Sequence, residues 1–598
     1  MKHPSKKALI GVGLATLLLG YLTNRFVGCF LSLKNAGGIS DQIDALFQQG
    51  FRVILENPVT VAPQRPALLA GGLVMIAIVL GYCYHLATPK NYRKGEEHGS
   101  ARWGCVRDIT PFLDPNPEQN LILTASEGLS LSPRMSVTAF EDYNRNKNVL
   151  VIGGAGSGKS RYFVKPNLMQ LHSSYGVTDS KGALLRETGD MLRKKGYQIK
   201  VLNLIHMDES DTYNPFTYLS TEKDVLKLVR NLIKNTTPPQ SKSEDDFWVK
   251  AETAFLTALF SYMVFELPEE DRTISTVLDM LHHAEAREDV EGYVSDLDAL
   301  FLDLAERKPH SFAAAQYDIY KKAAGKTAKS ILISVGVRLS PFMISDVQKL
   351  LSKDTMFLDE IATQKTALFV ILSDTDSTFN FLASILYQQL FDILVQQADA
   401  AANGMLPIPI RFLLDEFANI GQIPEFDRLI ATIRSRNISA NIILQNLAQI
   451  KNLYPKTWET ITANADSLLF LGGMEQSTLE YVSKIIGEET VDHKSRSIGK
   501  GERGSLSEQE QIIRRRLLTP DEVGTISGKQ CILKIRGVVP FLSKKYDITQ
   551  HKNYSLLAGE SKGNGTIYHH DGEKRITLQD IEQAIRTGRI CISEDLQL

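Results

Sequence analysis

The stretch NVLVIGGAGSGKS, residues 148–160, joins a strand-like run of apolar residues to a glycine-rich turn. Residues 153–160 match the pattern G-x-x-x-x-G-K-[ST], and RYFVKPNLMQL at 161–171 can begin a helix. Glycines allow a tight loop whose backbone N–H groups face a phosphate, and the amino end of the helix adds positive potential. Strand, turn and helix in succession therefore predict a phosphate-binding loop in an α/β domain.

This loop predicts ATP and Mg²⁺ as the bound cofactors. The Lys159 ammonium can reach the β- and γ-phosphates, and the Ser160 hydroxyl can hold Mg²⁺. The predicted nucleotide-binding residues are Gly153, Gly154, Ala155, Gly156, Ser157, Gly158, Lys159, Ser160 and Arg161.

A second apolar run, IPIRFLLDEF at 408–417, ends in two carboxylates. We predict that Asp415 holds Mg²⁺ and that Glu416 orients or deprotonates the attacking water. Taken alone, two acids could simply close a strand. Together with the loop at 153–160, they indicate the second half of an ATPase site.

The two halves are separated by more chain than a few βα units require, which indicates an insertion. Apolar runs predict further core strands at 175–177, 199–204, 367–372, 439–444, 467–471 and 530–535. Residues 218–350 are instead helical in pattern. We predict an α/β, RecA-like P-loop NTPase domain with an inserted all-α domain, divided as 89–217 and 351–550 for the NTPase domain, 218–350 for the insertion and 551–598 for a C-terminal appendage.

Residues 1–88 are predicted to form a membrane anchor. Two apolar segments, about 8–28 and 67–87, have the length and composition of transmembrane helices. Lysines and arginines flank them on the outer sides, at Lys2, Lys6, Lys7, Lys90, Arg93 and Lys94. Because positive flanks stay inside, both termini and the main body are expected in the cytoplasm. A cleaved signal peptide is the alternative for the first segment, and it would leave the body in the cytoplasm too.

Composition excludes several classes of protein. The 598 residues carry a formal net charge of -2, so the chain is not a histone-like polycation, and any nucleic-acid binding must use local patches. Five scattered cysteines form no CxxC pair, which argues against a zinc ribbon or a disulfide scaffold.

Individual stretches of the chain nevertheless carry a strong net charge of one sign. Residues 240–308 are strongly acidic, whereas 321–353 and 494–516 are basic. An acidic docking face for a basic protein and a DNA contact at Lys321 to Lys329 are expected, with solvated surfaces as the alternative. The basic stretch 494–516 is expected to be a flexible loop that could line a pore, with a disordered surface loop as the alternative.

These motifs resemble the TraG-type coupling proteins of type IV secretion and conjugation, which are hexameric ATPases that pass substrate to a transfer channel. The resemblance covers most of residues 1–550, and LDEFANIGQIP at 414–424 is its most specific part. The other matching stretches are the two-helix anchor, HGSARWG at 98–104, the loop at 153–160, TDSKG at 178–182, YNPF at 213–216, ILQNLAQI at 443–450 and LLTPDEV at 517–523. Ser180 stands where proline is expected, which affects no catalytic group.

The resemblance also implies roles for two residues beyond the loop and the acidic pair. Gln445 is similar to the family's glutamine that senses the γ-phosphate, although it could be only a polar strand end. Arg434 takes the place of an arginine contributed to the neighbouring subunit's ATP, and Arg436 could serve instead. The predicted catalytic residues are thus Glu416, Lys159, Gln445 and Arg434, and the predicted Mg²⁺ ligands are Ser160 and Asp415.

By this resemblance the chain is expected to be a multi-pass protein of the cytoplasmic membrane. It would form a homohexamer that recruits single-stranded DNA with a bound relaxase and drives it to the channel components of a type IV secretion system. Three alternatives remain open: a coupling ATPase for protein effectors without DNA, an FtsK-type duplex translocase, and a mainly structural receptor whose ATPase serves assembly.

Overall fold

The structure of the chain is a computed structural model. It describes residues 6–33, 46, 52, 54–87, 96, 99–131, 143–237, 247–287, 293–323, 325–498, 506–559, 563–570 and 572. The chain divides into two compact units, Met1–Glu97 and His98–Leu598. Residues 573–598 of the expected C-terminal appendage and the flanking residues Lys2, Lys90, Arg93 and Lys94 lie outside the described residues.

The first unit contains two long apolar helices, α1 (Lys6–Ser32) and α2 (Arg65–Ala87). Within them, Leu9–Ser32 and Arg65–Tyr84 are long and apolar enough to cross a membrane by length and composition. Both apolar segments are therefore helical, but the first continues to Ser32 instead of ending near residue 28.

Small residues bring these two helices close together. A Cβ atom added at Gly71 would lie 2.8 Å from the Gly20 carbonyl oxygen, so only glycine permits this approach. The Asn24 side chain in α1 exchanges hydrogen bonds of 2.8 and 3.2 Å with the backbone of Ala62. Close approach at small residues is one of the interactions that stabilise helix pairs in apolar surroundings, and the Asn24 contact ties α1 to the segment just before α2.

The second unit is built on thirteen described strands: β1 (Asn120–Ile122), β2 (Gly128–Ser130), β3 (Val149–Ile152), β4 (Ser174–Ser180), β5 (Gln198–Asn203), β6 (Thr366–Leu372), β7 (Ile410–Leu414), β8 (Ile438–Leu444), β9 (Ser467–Phe470), β10 (Glu488–Ile498), β11 (Leu506–Arg516), β12 (Gln530–Ile535) and β13 (Phe541–Lys544). Nine of them form one mixed sheet in the order β13-β12-β9-β3-β8-β7-β4-β6-β5. The strands from β9 to β5 are parallel, and β12 and β13 add an antiparallel edge. The core strands expected from the apolar runs are confirmed.

The described helices of this unit are α3 (Val106–Ile109), α4 (Lys165–Met169), α5 (Ala183–Lys194), α6 (Glu222–Thr236), α7 (Phe247–Glu266), α8 (Ile274–His282), α9 (Asp296–Arg307), α10 (Phe312–Lys321), α11 (Gly325–Leu339), α12 (Ser345–Leu350), α13 (Asn380–Ala400), α14 (Phe426–Thr432), α15 (Leu447–Leu453), α16 (Trp458–Ala463), α17 (Gln476–Ile486) and α18 (Pro520–Gly524). A π-helical turn, Ser160–Val164, leads directly into α4. Capping boxes start several of the helices; at α6, for example, the Thr221 side chain accepts a hydrogen bond from the Asp224 N–H.

The sheet is covered on both faces because successive side chains of a strand point to opposite sides. Leu150 and Ile152 join a core with helices α6 to α17, whereas Val149 and Val151 join a second core with α4 and α5. Between β5 and β6, the described residues are helical or irregular, as the pattern predicts. Their apolar side chains continue the first core, so these helices pack as one body with that face of the sheet.

One expectation needs correction. The basic stretch 494–516 is not a flexible loop throughout, because β10 and β11 pair in register from Glu488–Arg516 to Ile498–Leu506 as an antiparallel hairpin.

Part of the C-terminal appendage is attached to α5 by backbone hydrogen bonds. The Ala558 and Tyr568 N–H groups donate to the carbonyl oxygens of Glu187 and Arg186 in α5 at 3.0 Å each.

Candidate nucleotide-binding site

The carboxyl ends of three neighbouring strands meet at one edge of the sheet. β3 leads into the loop at 153–160, β8 ends just before Gln445, and β7 ends just before Asp415. Since β8 lies between β3 and β7, the backbones at the ends of β3 and β7 are about 10 Å apart, which is two strand spacings. Side chains of the loop and of the acidic pair span this distance and meet beside the end of β8.

The loop at 153–160 needs its glycines. Gly156 and Gly158 have positive φ angles of 74° and 86°, which residues with a Cβ rarely adopt. A Cβ atom at Gly158 would lie 2.4 Å from the Tyr162 ring, and one at Gly153 would lie 2.3 Å from Ser157 Oγ. Hydrogen bonds from the Gly154 N–H to the Gly472 carbonyl oxygen (2.8 Å) and from the Gly153 N–H to the Leu444 carbonyl oxygen (3.0 Å) attach the loop to neighbouring strand ends.

The inside of this loop has the chemistry of an anion site. Within the described residues, the backbone N–H groups of Gly156, Gly158 and Lys159 have no hydrogen-bond acceptor. The Ser157 hydroxyl is buried and likewise has no partner. Unpaired donors at the start of a helix fit a phosphate group, which can accept from several of them. The loop therefore fits the phosphates of a nucleotide.

Asp415 and Ser160 form the candidate cation site. Ser160 Oγ donates a hydrogen bond of 2.6 Å to Asp415 Oδ2. Burial raises the pKa of Asp415, although the Ser160 hydrogen bond and the Lys159 charge act in the opposite direction. A hydroxyl and a carboxylate beside a phosphate loop fit Mg²⁺, which in proteins is held by one or two carboxylates together with substrate phosphates.

Glu416 is the centre of a second contact group. Gln445 Nε2 donates to both Glu416 carboxylate oxygens, at 3.2 and 3.0 Å. Lys159 Nζ lies 3.5 Å from Glu416 Oε1 and donates to the Gly153 carbonyl oxygen at 3.1 Å. Glu416 itself has a φ of 53°, a left-handed conformation that is costly for a side chain and is often found at functional sites. Lysine, carboxylate and amide are thus brought together as expected.

Arg434 is not part of this group. It lies in the turn Ile433–Arg436, before β8, whereas Gln445 follows that strand. Seven strand residues separate the two ends, which corresponds to about 20 Å. Arg434 therefore lies near the amino-terminal end of β8, whereas the phosphate loop of its own chain lies at the carboxyl ends of the strands. Its Nη2 makes a long contact of 3.4 Å with the Asn144 carbonyl oxygen.

Arg436 is engaged within its own chain. Its guanidinium forms a two-pronged ion pair with Asp399, at 2.8 and 3.1 Å, and also donates to the Thr432 carbonyl oxygen at 3.1 Å. Of the two arginines, Arg434 has the weaker ties to its own chain.

Two residues at the site were missed by the sequence patterns. Asp179, in the stretch TDSKG, is buried, and burial raises its pKa to about 6, with the nearby Asp415 charge acting in the same direction. Lys545 donates a hydrogen bond of 2.9 Å to the Ser157 carbonyl oxygen in the phosphate loop. The TDSKG motif could have drawn attention to Asp179. No local pattern marks Lys545, because it follows β13 in the antiparallel part of the sheet, far along the chain from the phosphate loop.

Comparison with known proteins places these features in a family. Residues 119–563 match the family described as "Type IV secretory system Conjugative DNA transfer". Conjugal transfer protein TraG of Escherichia coli is 25% identical over 464 residues, which cover 72% of this chain and 71% of that protein. Protein VirD4 of Rhizobium rhizogenes is 23% identical over 508 residues, covering 82% and 71%.

Among solved structures, the unbound bacterial conjugative coupling protein TrwBdeltaN70 aligns with a TM-score of 0.52 over 76% of this chain and 96% of that one. Plasmid coupling protein TrwB in complex with the non-hydrolysable ATP analogue ADPNP aligns equally well. At 15% identity these two matches show a shared α/β fold. The family match spans the phosphate loop, the acidic pair and Gln445, and by it the chain belongs to the conjugative DNA-transfer proteins of type IV secretory systems.

Proposed function

We propose that the chain is a membrane-anchored coupling ATPase that uses ATP hydrolysis to drive DNA, with a bound relaxase, toward a type IV secretion channel. The observation that carries this proposal is the convergence of Ser160, Asp415, Lys159, Glu416 and Gln445 at one edge of the sheet. Solved TrwB structures that contain an ATP analogue support nucleotide as the ligand.

In this proposal the phosphate loop and Lys159 bind the nucleotide phosphates, and Ser160 and Asp415 hold Mg²⁺. The metal would neutralise charge on the phosphates when bound. Glu416 lies beside the loop and accepts hydrogen bonds from Gln445, so its carboxylate is held in place to orient or deprotonate a water molecule. Lys159 Nζ lies 3.5 Å from Glu416 Oε1, and a nucleotide phosphate would compete for the same ammonium.

Gln445 connects this chemistry to the rest of the unit. Its backbone N–H donates a hydrogen bond of 2.8 Å to Gln449 Oε1 in α15, and its side-chain amide donates to the Glu416 carboxylate. A change in the position of Glu416 can therefore be transmitted to α15. We assign to Gln445 the sensing of the γ-phosphate.

The position of Arg434 favours a ring of subunits. Within one chain it lies across the sheet from the phosphate loop, so it reaches a nucleotide only in a neighbouring copy. A homohexamer with a trans arginine meets this requirement. The RecA-like domain is assigned to 89–217 and 351–550, and the helical insertion to 218–350.

The two apolar helices support a multi-pass anchor in the cytoplasmic membrane, with the ATPase body in the cytoplasm. In the helical region, Lys321 pairs with Asp298 at 2.8 Å and Lys322 with Asp318 at 3.1 Å. Lys326 and Lys329 are exposed and form no ion pair within the described residues. These two lysines on α11 are the better candidates for contact with DNA phosphates.

The deciding experiment measures ATP hydrolysis by the full chain in detergent, with and without single-stranded DNA, over a series of salt concentrations. Stimulation by DNA that weakens as salt rises supports the proposal, because phosphate contacts release counterions. Hydrolysis that ignores DNA but rises with a secreted protein would instead support the effector-coupling alternative. Loss of activity in Lys159→Ala excludes a contaminating ATPase.

A further inference from the structure

Lys545 connects the antiparallel edge of the sheet to the phosphate loop. It follows β13, and its own N–H donates to the Lys529 carbonyl oxygen at 2.9 Å, which holds the backbone beside the neighbouring chain segment. Its side chain is buried, with 8% of the residue exposed. From there Nζ donates a hydrogen bond of 2.9 Å to the Ser157 carbonyl oxygen.

The same ammonium also lies 5.2 Å from the centroid of the Tyr162 ring, in a cation–π arrangement. That ring packs directly against Gly158, where a Cβ atom would lie 2.4 Å from it. In the part of the chain that is described, no carboxylate forms an ion pair with Lys545. Its charge is therefore directed at the loop and at the ring that supports the loop.

The hydrogen bond from Lys545 to the Ser157 carbonyl oxygen also determines the direction of the Gly158 N–H group. In a trans peptide the C=O and N–H groups point in opposite directions. When Lys545 holds the Ser157 carbonyl on the outer side, the Gly158 N–H of the same peptide unit must point to the inner side. That N–H has no acceptor within the described residues, so it is available for a phosphate oxygen.

The charge strengthens this arrangement. A hydrogen bond from an ammonium to a carbonyl polarises the amide, which makes the N–H on the other side a better donor. Burial also lowers the pKa of Lys545, since removal from water disfavours the charged form. Interactions of a desolvated charge are stronger than those of a solvated one.

We propose that Lys545 is a positioning residue of the nucleotide site, which fixes the Ser157–Gly158 peptide so that the Gly158 N–H is presented to a bound phosphate. This inference rests on the proposed function of the loop as a nucleotide site. It extends that site to a residue of the sheet's antiparallel edge.

The test compares Lys545→Met and Lys545→Arg in the full chain in detergent, with Lys544→Met as the matched control. Lys544 is exposed and precedes Lys545, so its loss removes the same charge without removing the loop contact. We expect Lys545→Met to weaken the affinity for Mg²⁺-ADP about tenfold and to raise KM for ATP to a similar extent. The kcat should change by no more than about twofold, since Lys159 and Glu416 are untouched. Lys545→Arg should restore most of the affinity, and Lys544→Met should resemble the wild type.

A further variant tests whether the hydrogen bond to the Ser157 carbonyl oxygen supports nucleotide binding without the positive charge. Lys545→Gln keeps a donor for the Ser157 carbonyl without the positive charge, and its unfolding midpoint shows whether the fold is intact. Affinity between those of wild type and Lys545→Met supports the proposal. Wild-type affinity in a folded Lys545→Gln and Lys545→Met would overturn it, as would equal losses in Lys545→Arg and Lys545→Met. If the wild type itself fails to bind Mg²⁺-ADP, the proposed function fails instead.

Discussion

The Ser160 hydroxyl donates a 2.6 Å hydrogen bond to the Asp415 carboxylate, although 255 residues separate the two in the chain. One lies at the start of the helix after β3 and the other at the end of β7. The contact pairs the two halves of the candidate cation site. The contact forms even though the helices between β5 and β6 lie between these two residues in the sequence.

Lys159→Ala should abolish ATP hydrolysis. The ammonium is the cation within the loop, and it contacts both the Gly153 carbonyl oxygen and Glu416. We expect a loss of more than about a hundredfold in kcat/KM, because charge stabilisation of this kind is a major part of phosphoryl transfer. The measurement is phosphate release by the detergent-solubilised chain. Membrane insertion should be unchanged, and a variant that still supports DNA transfer would overturn the assignment.

Glu416→Gln should separate nucleotide binding from hydrolysis. The substitution keeps the shape and removes the charge that would orient or deprotonate water. We expect kcat to fall about 10² to 10⁴-fold, while ADP affinity changes little. Single-turnover hydrolysis and equilibrium binding measure the two quantities. Hydrolysis at the wild-type rate would exclude Glu416 as the catalytic carboxylate.

The two arginines should behave differently. Arg434→Ala should remove ATPase activity in the assembled protein with little change in the unfolding midpoint, because its contact with its own chain is long. Arg436→Ala should leave activity largely intact and cost about 0.2 to 1 kcal/mol of stability through loss of the Asp399 pair.

Mixed assemblies of two inactive variants provide the control for a trans role of Arg434. Subunits with Arg434→Ala have an intact loop, and subunits with Lys159→Ala have an intact arginine, so mixed assemblies should regain part of the activity. No recovery in mixtures would argue against a trans role for Arg434.

Asp179→Asn should stabilise the nucleotide-free protein near neutral pH. Burial raises the pKa of Asp179 from 3.8 to about 6, so the folded state binds more protons than the unfolded state between these values. Stability from this group is therefore fully present below about pH 4 and is lost as pH rises through about 6. The buried charge then costs up to about 3 kcal/mol.

The asparagine variant removes that charge, so its unfolding midpoint should exceed that of the wild type at pH 7.5. The advantage should disappear near pH 4. Thermal unfolding at the two pH values measures this difference, and an advantage of equal size at both would contradict the role of the buried charge.

Charge reversal on α11 should weaken DNA binding. Lys326→Glu together with Lys329→Glu should lower affinity for single-stranded DNA, and the slope of log affinity against log salt should fall by about 1 to 2. Lys349→Glu is the control, since Lys349 is exposed but pairs with Asp346 at 3.3 Å. A double variant with the wild-type salt slope would remove α11 from the DNA path.

Local patterns predicted those parts of the site whose chemistry follows from adjacent residues. Gly156 and Gly158 have positive φ angles because the loop turns too tightly for residues with a Cβ, and the glycine pattern is visible in the sequence itself. Alternation of buried strands and turns likewise predicted the core strands. The hairpin at 488–516 was not predicted, because its basic, glycine-flanked sequence has the composition of a loop.

The sequence by itself determined the phosphate loop, the acidic pair, the two long apolar helices and the succession of strands. Each of these depends on interactions between residues close in the chain. Only the tertiary structure decided that β8 lies between β3 and β7, which places Gln445 against Glu416 and Arg434 at the far edge. It alone brought Lys545 to the Ser157 carbonyl. These contacts join residues from different strands and loops. They depend on how the whole sheet packs, and a local sequence pattern does not contain that information.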